Sequence, residues 1–282
     1  MYDDFSADYD RFMNWPARLA AEMPFIEGQL QAIGARRVLD VACGTGMHAV
    51  ALAQRGYSVA GADFSTGMVE RARANAATAA PVLSAVEGGE VRFEVAGFGE
   101  LALAFGSSTP GAASSGRHSP TGFDGLLCLG NSLPHLLTPA DLRTAMEDFA
   151  ACLRPGGLLL IQNRNFDAVL ARRGRWMEAP PPSPPLGGMK GGEGEAEWLF
   201  LRFYDFEPDG TLTFNLVTLR REASDAWSQQ VASTRLRPLL QRDLRAVLAE
   251  AGFREIACYG DMQGAPFDPT SSPNLVVTAR KW

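Results

Sequence analysis

Short apolar runs alternate with amphipathic stretches along most of the chain. Between the runs, apolar residues recur every three or four positions, as on the buried face of a helix, and Gly, Pro, Ser or Thr stand at the boundaries. Strands that alternate with helices predict an α/β fold with a mostly parallel sheet and helices on both faces. The predicted strands of this part are Val38–Val41, Ser58–Ala62, Val91–Val95, Phe123–Leu129 and Leu158–Gln162.

The predicted helices carry apolar stripes, and their ends have recognisable signals. Thr138-Pro139-Ala140-Asp141 combines a capping threonine, a proline in the first turn and an acid three residues after the cap. Arg154-Pro155-Gly156-Gly157 is expected to stop that helix before the fifth strand. The other helices are predicted over Pro16–Ile33, Met47–Arg55, Met68–Ala77 and Leu240–Ala251.

The alternation of strands and helices breaks after the fifth strand. Residues 168–233 begin with a Pro- and Gly-rich stretch and continue with two alternating runs around the turn Glu207-Pro208-Asp209-Gly210. This pattern predicts an antiparallel hairpin, and we interpret the segment as an insert that covers the active site. The hairpin strands are predicted at Trp198–Phe206 and Thr211–Arg220, and the last two strands of the core at Phe253–Tyr259 and Asn274–Ala279.

The stretch from Val38 to Ser65 has the layout of a nucleotide-binding βαβ unit: strand, glycine turn, helix, strand and acid. Gly44 and Gly46 would let the backbone approach a ligand closely, and the helix start offers unpaired N–H groups. Asp63, at the end of the second strand, is placed to accept both hydroxyls of a ribose. The third glycine of a dinucleotide loop is missing, and Asp40 precedes the loop. A negative charge there disfavours pyrophosphate and suits a cationic nucleotide such as S-adenosylmethionine.

Composition and charge narrow the classes of function. The 282 residues carry 26 basic and 32 acidic side chains, a net charge of -6, and the sequence pI is about 5.2. We therefore expect neither a nucleic-acid nor a membrane partner, because acidic proteins have no general attraction to either. The acidic, aromatic N-terminus is unlike a signal peptide. The four widely spaced cysteines and three histidines form no metal-binding motif, so no metal is expected, and reduced thiols suit a cytoplasmic protein.

Asp40, the loop Gly44-Thr45-Gly46 and Asp63 together resemble the first two motifs of class I S-adenosylmethionine-dependent methyltransferases. The run L-R-P-G-G-L-L-L-I, residues 153–161, resembles a pattern widespread in the same class. The resemblance implies a Rossmann-like sheet of seven strands with a reversed C-terminal strand pair. It also implies S-adenosylmethionine as the cofactor, held by Asp40, Ala42, Gly44, Gly46, Asp63, Phe64, Met68, Phe98 and Leu129.

One position departs from the pattern of this class. Gly97 stands where an acid usually holds the amino group of adenine. Adenine would then be held by backbone groups or another side chain, with Phe98 as an apolar cover. The departure concerns that contact and not the choice of cofactor.

Two further motifs resemble the glycine and sarcosine N-methyltransferases. Gly130-Asn131-Ser132-x-x-His135-Leu136 follows strand four, and Arg164-Asn165-Phe166-Asp167 follows strand five, with Phe166 where that family has Tyr. Neighbouring strands lie about 5 Å apart, so these groups should converge. The resemblance implies that Asn131 and Arg164 hold the carboxylate and amine of a glycine-like acceptor. His135 is a third candidate catalytic residue, and Tyr9 (or Tyr2) and Tyr204 are candidate substrate contacts.

The resemblance also suggests how the chain is divided. We expect one methyltransferase domain over 1–282, with a core of residues 16–167 and 234–282 and the insert 168–233 between them. Segment 1–15 would close over the cofactor as a lid, or else form a solvated arm anchored by a few aromatic side chains. The Gly-, Ser- and Pro-rich residues 106–122 are expected to be a surface insertion.

Several alternatives stay open at this stage. The acceptor can be another small metabolite methylated on N or O, or the protein can bind the cofactor without catalysis, or use a nicotinamide cofactor. Arg164 can instead tie loop carbonyls or Asp167, Asn131 can hold a turn, and His135 can be a packing residue. The sequence does not indicate an oligomeric state.

Overall fold

The computed structural model of the protein describes residues 9–10, 13–105, 122–177, 187–189, 197–221 and 226–282. The expected surface insertion, apart from Gly122, and the candidate lid residue Tyr2 lie outside the described residues. No helix in the described part of the chain is long and apolar enough to cross a membrane.

The apolar runs of the chain form strands close to the positions predicted for them. Six of the seven core strands contain the whole of the apolar run predicted for them. The other, Phe123–Cys128, contains all of its predicted run except the last residue, Leu129. The strands are β1 (Arg37–Val41), β2 (Ser58–Asp63), β3 (Glu90–Val95), β4 (Phe123–Cys128), β5 (Leu153–Arg164), β6 (Gly187–Met189), β7 (Glu197–Phe206), β8 (Leu212–Arg221), β9 (Trp227–Leu236), β10 (Phe253–Tyr259) and β11 (Asn274–Lys281).

Seven of these strands make one sheet in the order β10-β11-β5-β4-β1-β2-β3. Strands β1 to β5 pair in parallel, whereas β11 pairs antiparallel with both β5 and β10. The predicted Rossmann-like fold with a reversed C-terminal strand pair is therefore confirmed. The strand order reverses beside β1, so the carboxyl ends of β1 and β4 flank the crevice in which such sheets bind ligands.

The helices cover both faces of this sheet. Ile26 and Leu52 belong to the apolar cluster on one face, and Phe149 and Leu244 to the cluster on the other, all four fully buried. The helices are α1 (Trp15–Gln31), α2 (Met47–Ala53), α3 (Thr66–Leu83), α4 (Leu101–Phe105), α5 (Pro139–Cys152), α6 (Phe166–Arg172) and α7 (Gln241–Glu250).

The cap predicted for α5 is present, and α3 has a cap of the same kind. The Ser65 hydroxyl accepts a hydrogen bond from the backbone N–H of Met68, and Thr138 accepts one from Asp141. Such caps satisfy backbone donors that a helix start leaves unpaired. The α3 helix continues to Leu83, beyond the predicted end at Ala77, because the alanine-rich stretch that follows favours helix.

The fifth strand begins earlier than predicted. Arg154-Pro155-Gly156-Gly157 does not separate helix from strand but lies within β5. Pairing with β4 shifts register between Phe123 and Gly125. An irregular strand start tolerates Pro155, which lacks a ladder N–H.

The insert forms a separate four-stranded antiparallel sheet in the order β6-β7-β8-β9. The predicted hairpin is confirmed as β7 and β8, which pair from Glu197 with Arg221 to Phe206 with Leu212. Strand β9 was not predicted, because it is rich in Ser, Gln and Thr and mostly exposed. It carries the insert sheet beyond residue 233 to Leu236, the first fully buried residue of the strand.

Candidate active site

A cavity of about 1060 Å³ opens at the carboxyl ends of β1, β2, β4 and β5. This is the edge of the sheet at which open α/β folds bind ligands. Helix α1, the insert sheet and the loop before β11 complete its walls. Of the candidate site residues, those that line it are Tyr9, Ala42, Gly44, Asp63, Phe64, Met68, Phe98, Asn131, His135, Arg164 and Tyr204.

The two glycines of the loop after β1 have different roles. Both have positive φ, +56° at Gly44 and +75° at Gly46. A Cβ on Gly44 would meet only the Tyr9 ring, at 3.9 Å, on the cavity side. A Cβ on Gly46 would lie 2.7 Å from the Phe93 ring, so Gly46 is required for packing and does not line the cavity. Close approach of a ligand is therefore possible at Gly44.

Asp63 joins the two loops at the cofactor end of the cavity. One carboxylate oxygen accepts the backbone N–H of Gly44 at 2.9 Å, and the other accepts that of Ser65 at 3.0 Å. The side chain is 6% exposed and lines the cavity. These two bonds hold the carboxylate between the glycine loop and the loop after β2.

Asp40 lies behind the loop and not in the cavity wall. It is 2% exposed, and its Oδ2 has no hydrogen-bond partner among the described residues. Burial raises its pKa to about 7, and the charge of Asp63 adds to the rise while that of Arg18 opposes it. Asp40 can therefore act on a cation in the cavity only through its charge.

An apolar wall lies beside Asp63. Met68 and Leu101 are almost fully buried, and Gly97 and Phe98 complete this side of the cavity. The next acid along the chain, Glu100, accepts the backbone N–H of Gly97 at 2.9 Å. Leu129 is buried in the core, and its neighbour Gly130 lines the cavity in its place.

Asn131 clamps the end of β4 to the end of β5. Its φ is +70°, which asparagine tolerates better than most residues. Its backbone N–H donates to the Gln162 carbonyl at 3.1 Å, and its Oδ1 accepts the backbone N–H of Arg164 at 2.9 Å. The turn-holding role weighed for Asn131 is therefore present, and its Nδ2 is the group left to meet a ligand.

Two guanidinium groups lie near each other at the acceptor end of the cavity. Arg164 and Arg202 both line it, and burial and then the positive charge of Arg164 lower the pKa of Arg202. The Nε of Arg164 is buried and has no hydrogen-bond partner among the described residues. Tyr204, 2% exposed, lies beside them, and burial raises the pKa of its hydroxyl.

The residues after Arg164 hold the surrounding loops. The Asn165 amide donates to the carbonyls of Asp268, Pro269 and Ser272, and Asp167 accepts the backbone N–H of Gln241. Asp167 therefore pairs with the start of α7 and not with Arg164. Phe166 is fully buried, with its ring centroid 6.3 Å from that of Tyr204, so an apolar ring fits this position.

His135 ends the short 3₁₀ helix Leu133–His135 and lines the cavity. Burial lowers its pKa to about 4. The imidazole is therefore neutral at physiological pH and is a weak base.

A buried polar network beside the cavity was not predicted. Glu22 on α1 accepts hydrogen bonds from Arg18 at 3.1 Å and from Gln162 at 3.0 Å, and its carboxylate lies 2.7 Å from Nε2 of His48. Burial opposes ionisation, but the His48 hydrogen bond and the Arg18 charge lower the pKa of Glu22 to about 2. In the sequence, Glu22 falls among the apolar positions of a helix, and its partner Gln162 is 140 residues away.

Asp10 fastens the N-terminal segment over the glycine loop. It accepts hydrogen bonds from the Thr45 hydroxyl at 2.6 Å, from Arg71 at 2.9 Å and from Asn75 at 3.2 Å. The adjacent Tyr9 ring packs against the insert sheet and faces Gly44. The described part of this segment therefore roofs the cofactor end of the cavity.

Comparisons with known proteins identify the family. Residues 38–108 match the family model for a methyltransferase domain. A glycine/sarcosine N-methyltransferase from Aphanothece halophytica is 30% identical over 261 residues, which cover 93% of this chain and 82% of that protein. The chain belongs to the S-adenosylmethionine-dependent methyltransferases.

Two further proteins resemble this methyltransferase along most of their length. A glycine/sarcosine N-methyltransferase from Parasynechococcus marenigrum is 29% identical over 266 residues, covering 93% of this chain and 78% of that protein. An S-adenosylmethionine-dependent methyltransferase from Clostridium acetobutylicum has the same fold, with a TM-score of 0.70 at 14% identity. The superposition covers 99% of this chain and 98% of that one.

Among the described residues of the methyltransferase, no group of three or more His, Cys, Asp or Glu side chains is arranged to hold a metal ion.

Proposed function

We propose that this methyltransferase transfers a methyl group from S-adenosylmethionine to the amine of a small, glycine-like amino acid. The observation that carries the proposal is the pair of guanidinium groups at the acceptor end, Arg164 and Arg202. A carboxylate between them would relieve their repulsion and give the buried Nε of Arg164 an acceptor. Arginine suits this role because its planar fork of donors matches a carboxylate.

The cofactor end of the cavity has the chemistry that S-adenosylmethionine requires. Asp63 offers oxygen acceptors for ribose hydroxyls, and Gly44 leaves space for the methionine portion. Met68, Phe98 and Leu101 offer an apolar wall for adenine. The charge of Asp40 behind the loop favours a cation, and sequence relatives that are N-methyltransferases support the same cofactor.

At the acceptor end, each side chain would have a positioning role. Arg164 and Arg202 would hold the carboxylate, and the Nδ2 of Asn131 would add a donor. Tyr9 and Tyr204 would close the cavity over the acceptor, from the N-terminal segment and the insert sheet respectively. Holding the amine in line with the methyl group and excluding water are the main demands of such a displacement.

When bound, S-adenosylmethionine supplies an activated methyl group: the amine lone pair forms the N–C bond while the C–S bond breaks and its electron pair stays on sulfur. The amine must enter as the neutral base. With a pKa of about 4, His135 is too weak a base to deprotonate an alkylammonium ion in the site, so we assign the loss of that proton to bulk solution, before the neutral amine binds. His135 would line the site as a neutral imidazole.

Mass analysis of products tests the proposal. The purified protein is incubated with methyl-labelled S-adenosylmethionine and either glycine, sarcosine or dimethylglycine, in parallel with ethylamine and glycolate. We expect label in the amino acids and none in ethylamine, which lacks the carboxylate, or in glycolate, which lacks the amine. Labelled glycolate or ethylamine at comparable rates, or no labelled amino acid, would contradict the proposed acceptor. Thermal-shift measurements with S-adenosylhomocysteine and with NAD test the cofactor separately. Stabilisation by S-adenosylhomocysteine would limit the error to the acceptor, whereas stabilisation by NAD alone would contradict the cofactor itself.

A further inference from the structure

A buried amide next to Arg164 has no hydrogen-bond partner. Asn163, near the end of β5, is 1% exposed, and neither its Oδ1 nor its Nδ2 finds a partner among the described residues. Asn163 is one of the residues that line the same cavity as Arg164 and Asn131. Buried polar side chains in folded proteins are almost always hydrogen-bonded. The two unpaired atoms are therefore candidates to pair with a ligand bound in this cavity.

The Tyr204 hydroxyl at this end of the cavity is also buried without a hydrogen-bond partner among the described residues, but two neighbouring amide oxygens are engaged. Asn131 Oδ1 accepts the backbone N–H of Arg164, and Gln162 Oε1 accepts that of Gly130 at 3.2 Å. Asp40 Oδ2 is buried without a partner but does not line the cavity. Within the described part of the chain, Asn163 is thus the one cavity-lining amide or carboxylate residue that has a buried, unpartnered oxygen.

We propose that Asn163 binds the methyl acceptor, with Oδ1 accepting an N–H of the amine and Nδ2 donating to the carboxylate. This assignment rests on the function proposed above. Guanidinium groups only donate hydrogen bonds, so Arg164 and Arg202 can hold the carboxylate but not the amine hydrogens. An amide offers both a donor and an acceptor, and Asn163 therefore matches the two ends of a small amino acid.

The assignment has a consequence for the number of methyl groups added. While the lone pair of a neutral amine faces the methyl group, its N–H bonds point elsewhere and can reach Oδ1. Neutral glycine has two N–H bonds, sarcosine has one and dimethylglycine has none. Asn163 therefore favours glycine and sarcosine over dimethylglycine, because a site built to pair with an N–H rejects a ligand that lacks it.

A ligand-binding role and a structural role predict opposite effects on stability. An unpaired buried amide destabilises the unliganded protein, so an apolar replacement of Asn163 should leave the melting temperature unchanged or raise it. Asn215 in the insert is a matched control, because it is also buried but fully paired. Its Nδ2 donates to Asp205 at 2.8 Å, and its Oδ1 accepts from Ser233 at 2.6 Å. Replacement of Asn215 should lower the melting temperature.

The experiment compares Asn163→Leu, the smaller Asn163→Ala and the control Asn215→Leu in the full-length protein. Melting temperature, S-adenosylhomocysteine affinity, and kcat and KM for glycine, sarcosine and dimethylglycine are measured for each. We expect both Asn163 variants to raise the KM for glycine about tenfold, the worth of a hydrogen bond or two. Their preference for glycine over dimethylglycine should fall, with cofactor affinity and melting temperature maintained. Asn215→Leu should keep the KM values and the preference.

Three results would overturn the assignment, and they are distinguishable. If the wild-type protein is active and both Asn163 variants keep its KM for glycine and its preference for glycine over dimethylglycine, Asn163 does not bind the acceptor. The proposed function would be unaffected by that result. A melting temperature lowered as much as in Asn215→Leu would assign Asn163 a structural role. A wild-type protein that methylates no amino acid would overturn the proposed function and this assignment with it.

Discussion

The two ends of the cavity are built in different ways. At the cofactor end, one stretch from Val38 to Ser65 supplies the strand ends, the glycine loop and Asp63, and both oxygens of Asp63 already accept backbone N–H groups. At the acceptor end, Asn163 and Arg164 come from β5 and Tyr204 from the insert sheet. There, the Asn163 amide and the Nε of Arg164 are buried without partners among the described residues.

This difference indicates how each end would select its ligand. A loop held in place by its own hydrogen bonds is preorganised, so binding need not order it. Buried polar groups without partners make the acceptor end selective, because a ligand that fails to pair with them leaves their desolvation uncompensated. We therefore expect the cofactor to bind without the acceptor, and the acceptor to be chosen by a few polar groups.

The largest effect is expected for Asp63→Ala, which would break the cofactor end alone. Loss of two charge-assisted hydrogen bonds to ribose corresponds to about 3 kcal/mol, or about 100-fold weaker S-adenosylhomocysteine binding by calorimetry. Asp124→Ala is the matched control, because Asp124 also accepts two backbone N–H groups, from Arg36 and Arg37, both at 2.8 Å. It lies at the start of β4, away from the cavity. Equal affinities of the two variants would refute the ribose assignment.

The next effect concerns the acceptor end alone. Arg164→Met keeps much of the side-chain volume but removes the donors, and we expect kcat/KM for glycine to fall about 30-fold, the worth of a hydrogen bond to a charged group. Cofactor affinity should be maintained. The exposed Arg143, which lies 3.9 Å from Glu250, provides the control variant Arg143→Met. If Arg164→Met weakened cofactor binding as much as acceptor binding, the proposal that the two ends bind their ligands through separate residues would be contradicted.

A smaller effect, on the rate of cofactor dissociation, is expected when the hydrogen bonds that hold the N-terminal segment are removed. Asp10→Ala removes the acceptor of the Thr45, Arg71 and Asn75 hydrogen bonds, each worth about 1 kcal/mol. If this segment is a lid, cofactor dissociation measured by stopped flow should quicken about tenfold, because opening becomes easier. Asp209→Ala, in an exposed turn of the insert, serves as the control. Unchanged dissociation in Asp10→Ala would favour the solvated arm over the lid.

The smallest effect is a pH dependence of cofactor affinity. With a pKa near 7, the Asp40 carboxyl is about half protonated at neutral pH. A bound cation lowers that pKa, so binding releases protons, and affinity should rise a few-fold from pH 6 to pH 8. Calorimetry in buffers of different ionisation enthalpy measures the proton release. Asp40→Asn should abolish the dependence, and an equal release in that variant would assign the proton to another group.

Much of the cofactor end follows from the sequence because it is local. Strand, glycine loop, helix and acid lie within 28 consecutive residues, Val38 to Ser65, and their hydrophobic pattern predicts both the elements and the placement of Asp63. The sequence did not distinguish Gly44 from Gly46. That distinction depends on Phe93, which reaches the loop from a strand much further along the chain.

The acceptor end and the polar network were less predictable because they depend on distant contacts. Arg164 and Asn131 were found from short motifs at strand ends, but the unpaired amide of Asn163 appears only in the folded structure, where its position in β5 pairs with Leu275 of β11. Glu22 contacts His48 and Gln162 because α1 packs against their elements. No local sequence pattern predicts such a contact. Strand β9 escaped prediction because an exposed, polar strand has little hydrophobic signal.

The central claim is that the acceptor end recognises a carboxylate through Arg164 once the cofactor end is occupied. Calorimetric titration of glycine into the protein saturated with S-adenosylhomocysteine tests it most directly. The account predicts saturable binding to the wild-type protein and to Arg143→Met, and binding at least tenfold weaker to Arg164→Met. Equal glycine affinity in Arg164→Met and wild type, or no glycine binding to the saturated wild-type protein, would contradict it.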